Sequence, residues 1–182
     1  MKNILIVVGI IVAIIGCAMV GLRIYTKSFS PESTSTYEEK GHRISVNYCR
    51  PYKNGREVFP DLIPYDKVWR TGANEATKIT TAKNLLIKGQ ALPKGSYSLW
   101  TIPGKDSWEV IFNKEIGQWG LDPLTGKTNR DETLDALVID VPVYTMDETI
   151  EQFTIQFEEW GEVIQMLIMW DKTLVVIPID QN

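Results

Sequence analysis

Histidine and cysteine are the scarce residues of this chain, and their scarcity removes whole classes of chemistry. One histidine, His42, leaves no multi-histidine metal site, and a triad would need that single residue in a packed cleft. Of the two cysteines, Cys17 lies inside an apolar N-terminal run, so Cys49 has no partner for a disulfide or a paired-cysteine metal site. Neither a GxSxG elbow nor a phosphate-binding GxxxxGK, an HExxH or an EF-hand loop occurs. Ser96 and Ser98 stand in an alternating stretch and read as strand residues. No catalytic residue, metal or cofactor is therefore assigned. The net charge of −4 argues against a nucleic-acid partner.

Positive charge is almost missing from the last third. Residues 131–182 hold 12 acids and one base, Lys172, whereas residues 31–130 hold 15 bases and 11 acids. Either the late strands present an acidic, soluble face, or basic side chains of the first part meet them across the fold. So many acids in a short span also produce carboxylate pairs by chance, which weakens any glycosidase reading.

What the chain does have begins with residues 4–22, ILIVVGIIVAIIGCAMVGL, 19 residues without a charge. As a helix they span about 28 Å, close to the hydrocarbon thickness of a bilayer. The run is long for a secretory signal, and residues 1–25 read as a transmembrane signal anchor. The alternative is a cleaved lipoprotein signal, because IIGC resembles a lipobox and would expose Cys17 for acylation. Either route ends at the membrane. Lys2 at one end and Arg23 and Lys27 at the other leave the positive-inside rule nearly tied. The likeness to an export signal places the later domain outside the cytoplasm. Gly9, Ala13, Cys17 and Gly21 recur every four residues, a small-residue stripe that lets helices approach and offers a homodimer contact.

Residues 26–37, TKSFSPESTSTY, are Ser/Thr-rich and are expected to form a flexible tether. From residue 38 to 182 the dominant period is two. RISVNYC at 43–49, GSYSLWTI at 95–102, SWEVIFNK at 107–114 and ALVIDV at 136–141 alternate, with shorter stretches at 78–80 and 85–88. Residues 95–114 form a hairpin around Pro103–Ser107. QFTIQF at 152–157, VIQMLIMW at 163–170 and LVVIPI at 174–179 complete the series, with a second hairpin expected at Asp171-Lys172-Thr173 and a helical turn at 145–151. VIQMLIMW is apolar on both faces and belongs centrally in a sheet. The expected fold is all-β, an antiparallel sandwich of about eight strands behind one transmembrane helix.

The unusual stretch is 50–76, RPYKNGREVFPDLIPYDKVWRTGANEA, irregular and rich in Arg and aromatic residues. Arginine forks suit carboxylates, and aromatic rings stack on sugars or on arginine. The structural counter-reading has Arg70 paired with Glu75 or a C-terminal acid, Trp69 plugging the core and Gly72 supplying a special backbone angle. Arg70 is expected to be structural, and Arg56 or Asn74 to face a ligand.

RPYKNGREVFPDLIPYDKVWRTGANEATKIT, then ALPKGSYSLWTIPGKDSWEVIFNK, then QWG, strongly resembles the exported bacterial family called domain of unknown function 2911, over residues 43–179. Trp100 stands where that family often has Phe, and Leu121 follows QWG where an aromatic is more usual. The resemblance implies an exported β-rich domain and carries no reaction. Arg50, Arg56, Trp69, Arg70, Gly72, Asn74 and Glu75 match the family signature and are the ligand-binding candidates. Three functions compete: an envelope module binding a small, anionic or glycan ligand, a hydrolase acting on envelope glycans, and a structural part of the envelope. A hydrolase needs a perturbed carboxylate in a pocket beside the Arg/Trp cluster. A binding module needs Arg and aromatic groups open without one, and a structural part needs the cluster buried and paired.

Overall fold

The fold was obtained as a computed structural model, which describes residues 2–122 and 125–180. Helix α1 spans Lys2–Phe29. Its apolar stretch, Asn3–Phe29, is unburied by the rest of the chain and is long enough to cross a bilayer. Nine strands follow among the described residues: β1 Glu32–Tyr37, β2 Ile44–Cys49, β3 Thr77–Thr81, β4 Leu85–Ile87, β5 Gln90–Leu92, β6 Gly95–Ile102, β7 Ser107–Asn113, β8 Asp135–Trp160 and β9 Val163–Asp180. All pair antiparallel in one open sheet, ordered β1-β2-β3-β6-β7-β8-β9-β4-β5. The all-β expectation holds.

Side-chain alternation decides which face turns inward. In β2, Ile44, Val46 and Tyr48 are buried, and in the first half of β8 the same is true of Leu137, Ile139 and Val141. These residues join Ile164, Met166, Ile168 and Trp170 of β9 in one core. Leu167 and Gln165, on the opposite face of β9, are buried as well, as an apolar-on-both-faces strand requires. The sheet folds over on itself as a sandwich does. The Tyr48 hydroxyl donates to the Ile155 carbonyl at 3.1 Å and accepts from the Ile155 amide at 2.9 Å, tying β2 to the far half of β8. The β6–β7 hairpin turns where expected, at Pro103–Ser107. A Cβ on Gly104 would lie 2.4 Å from the Ser107 carbonyl, so only glycine fits there.

Three expectations need correction. Residues 26–37 are not a tether: α1 continues to Phe29, and β1 pairs with β2 in unbroken register from Glu32↔Cys49 to Tyr37↔Ile44. A Ser/Thr-rich strand on a sheet edge has no core face to betray it by hydrophobic alternation. Nor do residues 171–173 form a hairpin, since β9 runs through them. The register against β8 slips there, from Thr145↔Thr173 to Ile150↔Asp171, so β8 holds extra residues opposite a short piece of β9. Asp171 absorbs the bulge with φ +54 and is ion-paired to Lys53. Residues 145–151, expected as a helical turn, are the bulged part of β8.

Among the described residues the lopsided charge meets across the fold in two ion pairs: Lys53 reaches Asp171, and Lys40 reaches Glu159 at 3.1 Å. Arg130 acts locally, on Glu132 and Asp135.

Candidate functional site

The chain leaves β2 at Cys49 and runs beside the far half of β8. Phe153 N–H donates to the Pro51 carbonyl at 2.9 Å and Lys53 N–H to the Glu151 carbonyl at 2.8 Å. Arg50 fastens this crossing: its Nε donates to the Phe153 carbonyl at 2.9 Å and its Nη2 to Thr154 Oγ1 at 2.7 Å. The guanidinium is thereby occupied in joining β2 to β8. After one helical turn at Val58–Leu62 the chain reaches Trp69, which pairs with Thr101 of β6 through two backbone hydrogen bonds of 2.7 and 2.9 Å.

Trp69 is 7 % exposed and lies at the middle of an aromatic cluster. It stacks on Trp170 at 6.0 Å and meets Phe153 at 5.2 Å and Trp108 at 6.0 Å edge-on. Its indole N–H donates to the Gly72 carbonyl at 2.9 Å, so the buried polar edge is satisfied. Gly72 passes close to β2: a Cβ there would stand 3.0 Å from the Cys49 carbonyl, at φ +149. The core-plug reading of Trp69 and the special backbone of Gly72 both describe what is seen.

The rest of the signature fastens two neighbours to the sheet. Arg70 donates from Nη1 to the Trp119 carbonyl at 3.2 Å, and its stem packs against Gly120 so closely that a Cβ on that glycine would sit 2.6 Å from Arg70 Cδ. Burial pulls the Arg70 pKa down. Among the described residues no carboxylate lies within ion-pair distance of it, so the expected pairing with Glu75 or a late acid does not form. Ala76 N–H donates to the Gln118 carbonyl at 3.1 Å, holding the same QWG loop. Asn74 is buried, and its amide donates to the Ser30 carbonyl at 3.4 Å, just beyond the end of α1. Its side chain is not among those that line the cleft described below. Glu75 meets Arg23 at 2.6 Å and Lys27 at 3.4 Å, two residues one helical turn apart on α1. Burial would raise the Glu75 carboxyl, but its own backbone N–H together with Lys27 and Arg23 outweigh that and hold it below the usual carboxylate value. The Cys49 thiol points at the same carboxylate, 3.7 Å from Oε2.

Beside this hub opens a cleft of about 550 Å³, walled by Tyr52, Arg56, Trp69, Arg70, Leu121 and Trp170. Arg56 is exposed at its mouth. Its Nε and Nη2 donate to the Lys53 and Tyr52 carbonyls at 2.8 and 2.6 Å, which holds the guanidinium plane while leaving Nη1 for other use. Among the described residues no Asp or Glu lines the cleft. Two cationic forks in a cleft that indole and phenol side chains also line suit an anion joined to a ring or sugar. Among the described residues no three His, Cys, Asp or Glu side chains gather as metal ligands would.

The candidates thus divide. Arg56, Trp69, Arg70 and Gly72 reach the cleft, whereas Arg50, Asn74 and Glu75 act in joints outside it. The sequence reading missed Trp170, which ends an apolar run and gives no sign of facing Trp69. It also treated Arg23 and Lys27 only as membrane flanks, although their spacing of four places both on one helix face.

Residues 30–179 match the family described as protein of unknown function (DUF2911), and the chain belongs to that family. No curated protein and no solved structure matches it.

Proposed function

We propose that this chain is a membrane-anchored binding domain, displayed outside the cytoplasm, whose cleft takes an anionic ligand carrying an aromatic or sugar ring. One observation carries the reading: Arg56 and Arg70 line the same cleft as Tyr52, Trp69 and Trp170, with no carboxylate among the described lining residues. An anion entering there meets no like charge, and the stacking surface accounts for a ring. The same absence counts against a glycan hydrolase of the usual kind, which works through a pair of carboxyl groups. The nearest signature acid, Glu75, is held in its charged form by two cations and lies outside the cleft. The anchor reading is supported by the length and unburied apolar surface of α1.

Parts of the signature support the structural reading. Arg50, Trp69, Gly72, Asn74 and Glu75 are explained by the joints they make, so the ligand reading depends on Arg56 and Arg70. The test pairs matched probes on the full chain in lipid nanodiscs: glucuronate against glucose, and benzoate against benzyl alcohol. Tryptophan fluorescence should respond to the charged member of each pair at millimolar concentration and ignore the neutral one. Arg56→Ala should abolish the response without moving the urea midpoint. Equal responses to charged and neutral probes, or none to any, would refute the proposal.

A further inference from the structure

The QWG loop, held by Arg70 and Ala76, carries apolar side chains that the described residues cover only in part. Ile116 is 48 % and Trp119 39 % exposed, on a loop of seven residues between β7 and Leu121. A cavity of about 560 Å³ separates Trp119 and Leu121 from Met19, Val20, Leu22 and Arg23 of α1. The loop therefore lies alongside the last apolar turns of the helix, at the level where the uncharged run 4–22 gives way to Arg23.

That neighbourhood is fixed. Arg23 and Lys27 are both tied to Glu75, Lys27 also meets Glu32 at 2.8 Å, and only Ser30 and Pro31 separate α1 from β1. The helix and the domain are braced rather than loosely linked. The loop is braced in turn through the Trp119 and Gln118 carbonyls. Tyr25 and Phe29 stand exposed on the same end of α1, at 62 % and 57 %. Trp and Tyr with an apolar body and a polar edge favour the headgroup zone of a bilayer.

Resting on the reading of α1 as an anchor, we infer that the Ile116–Trp119 loop dips into the interfacial zone of the bilayer that α1 crosses, so that the domain itself docks on the membrane in one orientation. The occupant of the apolar gap is lipid, because the gap is continuous with the helix surface that must lie in lipid. Arg70 then has a second use. It holds Trp119 against the bilayer on one side and lines the cleft on the other, so the cleft, which Phe29 and Ser30 also line, opens next to the membrane.

Two tryptophans are well exposed among the described residues, Trp119 and Trp160, and the second serves as a control. β1 leads away from α1, and Tyr37 at its far end bonds Glu159, so Trp160 at the β8–β9 tip stands a strand's length away, roughly 17 Å. The other four tryptophans are buried. The full chain is placed in nanodiscs of phosphatidylcholine brominated near the headgroup end of the acyl chain, and its fluorescence is compared with that in unbrominated lipid. Wild type and Trp160→Phe should be quenched, and Trp119→Phe should lose most of the quenching. Undiminished quenching in Trp119→Phe, or its loss in Trp160→Phe, would overturn the docking inference, as would a wild-type Trp119 shielded from bromolipid by a second copy. Release of the wild-type chain from vesicles by alkaline carbonate would instead overturn the anchor reading, and this inference with it.

Discussion

Removing the Arg70 side chain distinguishes three roles by size of effect. Arg70→Ala loses one hydrogen bond from a charged donor, long at 3.2 Å and half-exposed, which brings it down to the value of an ordinary neutral bond, about 1 kcal/mol. It also loses the stem methylenes that pack on Gly120. Two such groups, half-buried, contribute about 1 kcal/mol at roughly 0.8 kcal/mol per fully buried methylene. The expected destabilisation is therefore about 2 kcal/mol. A guanidinium neutralising a buried acid would give about 3–5 kcal/mol, and one free in solvent under about 0.5 kcal/mol. Arg70→Met, which keeps the stem, should recover about half of the loss if the two halves are independent. Because the acceptor is a carbonyl and does not titrate, the wild-type-minus-Ala difference should stay nearly flat from neutral pH into the acid range. The measurement is urea unfolding of the full chain in detergent micelles, followed by tryptophan fluorescence at several pH values. A loss near 4 kcal/mol that shrinks as carboxylates protonate would refute the carbonyl assignment. A loss too small to resolve would show that the QWG loop is held without Arg70.

Two further outcomes follow from the joint at Glu75. The folded pKa of Glu75 is depressed, so its contribution is fully present above its ordinary value of 4.5 and is lost as pH falls through the folded value. Glu75→Gln should thus cost about 1 kcal/mol at pH 7, given the exposure of Arg23, and nothing well below that window; a difference that persists in acid would refute the ion-pair account. The Cys49 thiol is 3 % exposed, and burial pushes its pKa up, so a thiol reagent should label it slowly in the native chain and rapidly in denaturant. The denatured full chain should show two thiols if α1 is an uncleaved anchor, and none at Cys17 if that residue is acylated.

Strand existence was legible wherever one face is apolar, as in β2, β6, β7 and the first half of β8, because period-two alternation follows directly from the pleat. It failed where the alternation carries no information about burial. β1 is polar on both faces because it is an edge, so its Ser and Thr look like linker chemistry. β8 and β9 read as several short strands because the bulge around Ile150 and Asp171 breaks the period locally, while the backbone pairing resumes beyond it. A turn-prone Asp-Lys-Thr serves a bulge as well as a hairpin, since both can use a residue with positive φ such as Asp171, and only the partner strand decides between them.

The signature segment was harder, and the reason is physical. Its residues were recognisable as a set, but their partners lie far off in the chain: Phe153 and Thr154 for Arg50, Trp119 for Arg70, Ser30 for Asn74, and Arg23 with Lys27 for Glu75. A motif read alone invites the view that its polar groups await a ligand. Once the partners are placed, most of those groups are satisfied by protein, and each joins a different element to one corner of the sheet. The motif then explains why the helix end and the QWG loop sit side by side. What is left is narrower and more informative: Arg56 Nη1 and the open edge of Arg70, both lining the cleft. If a ligand binds, those atoms must carry it, because the rest of the signature is already engaged in holding the helix, the loop and the core in register.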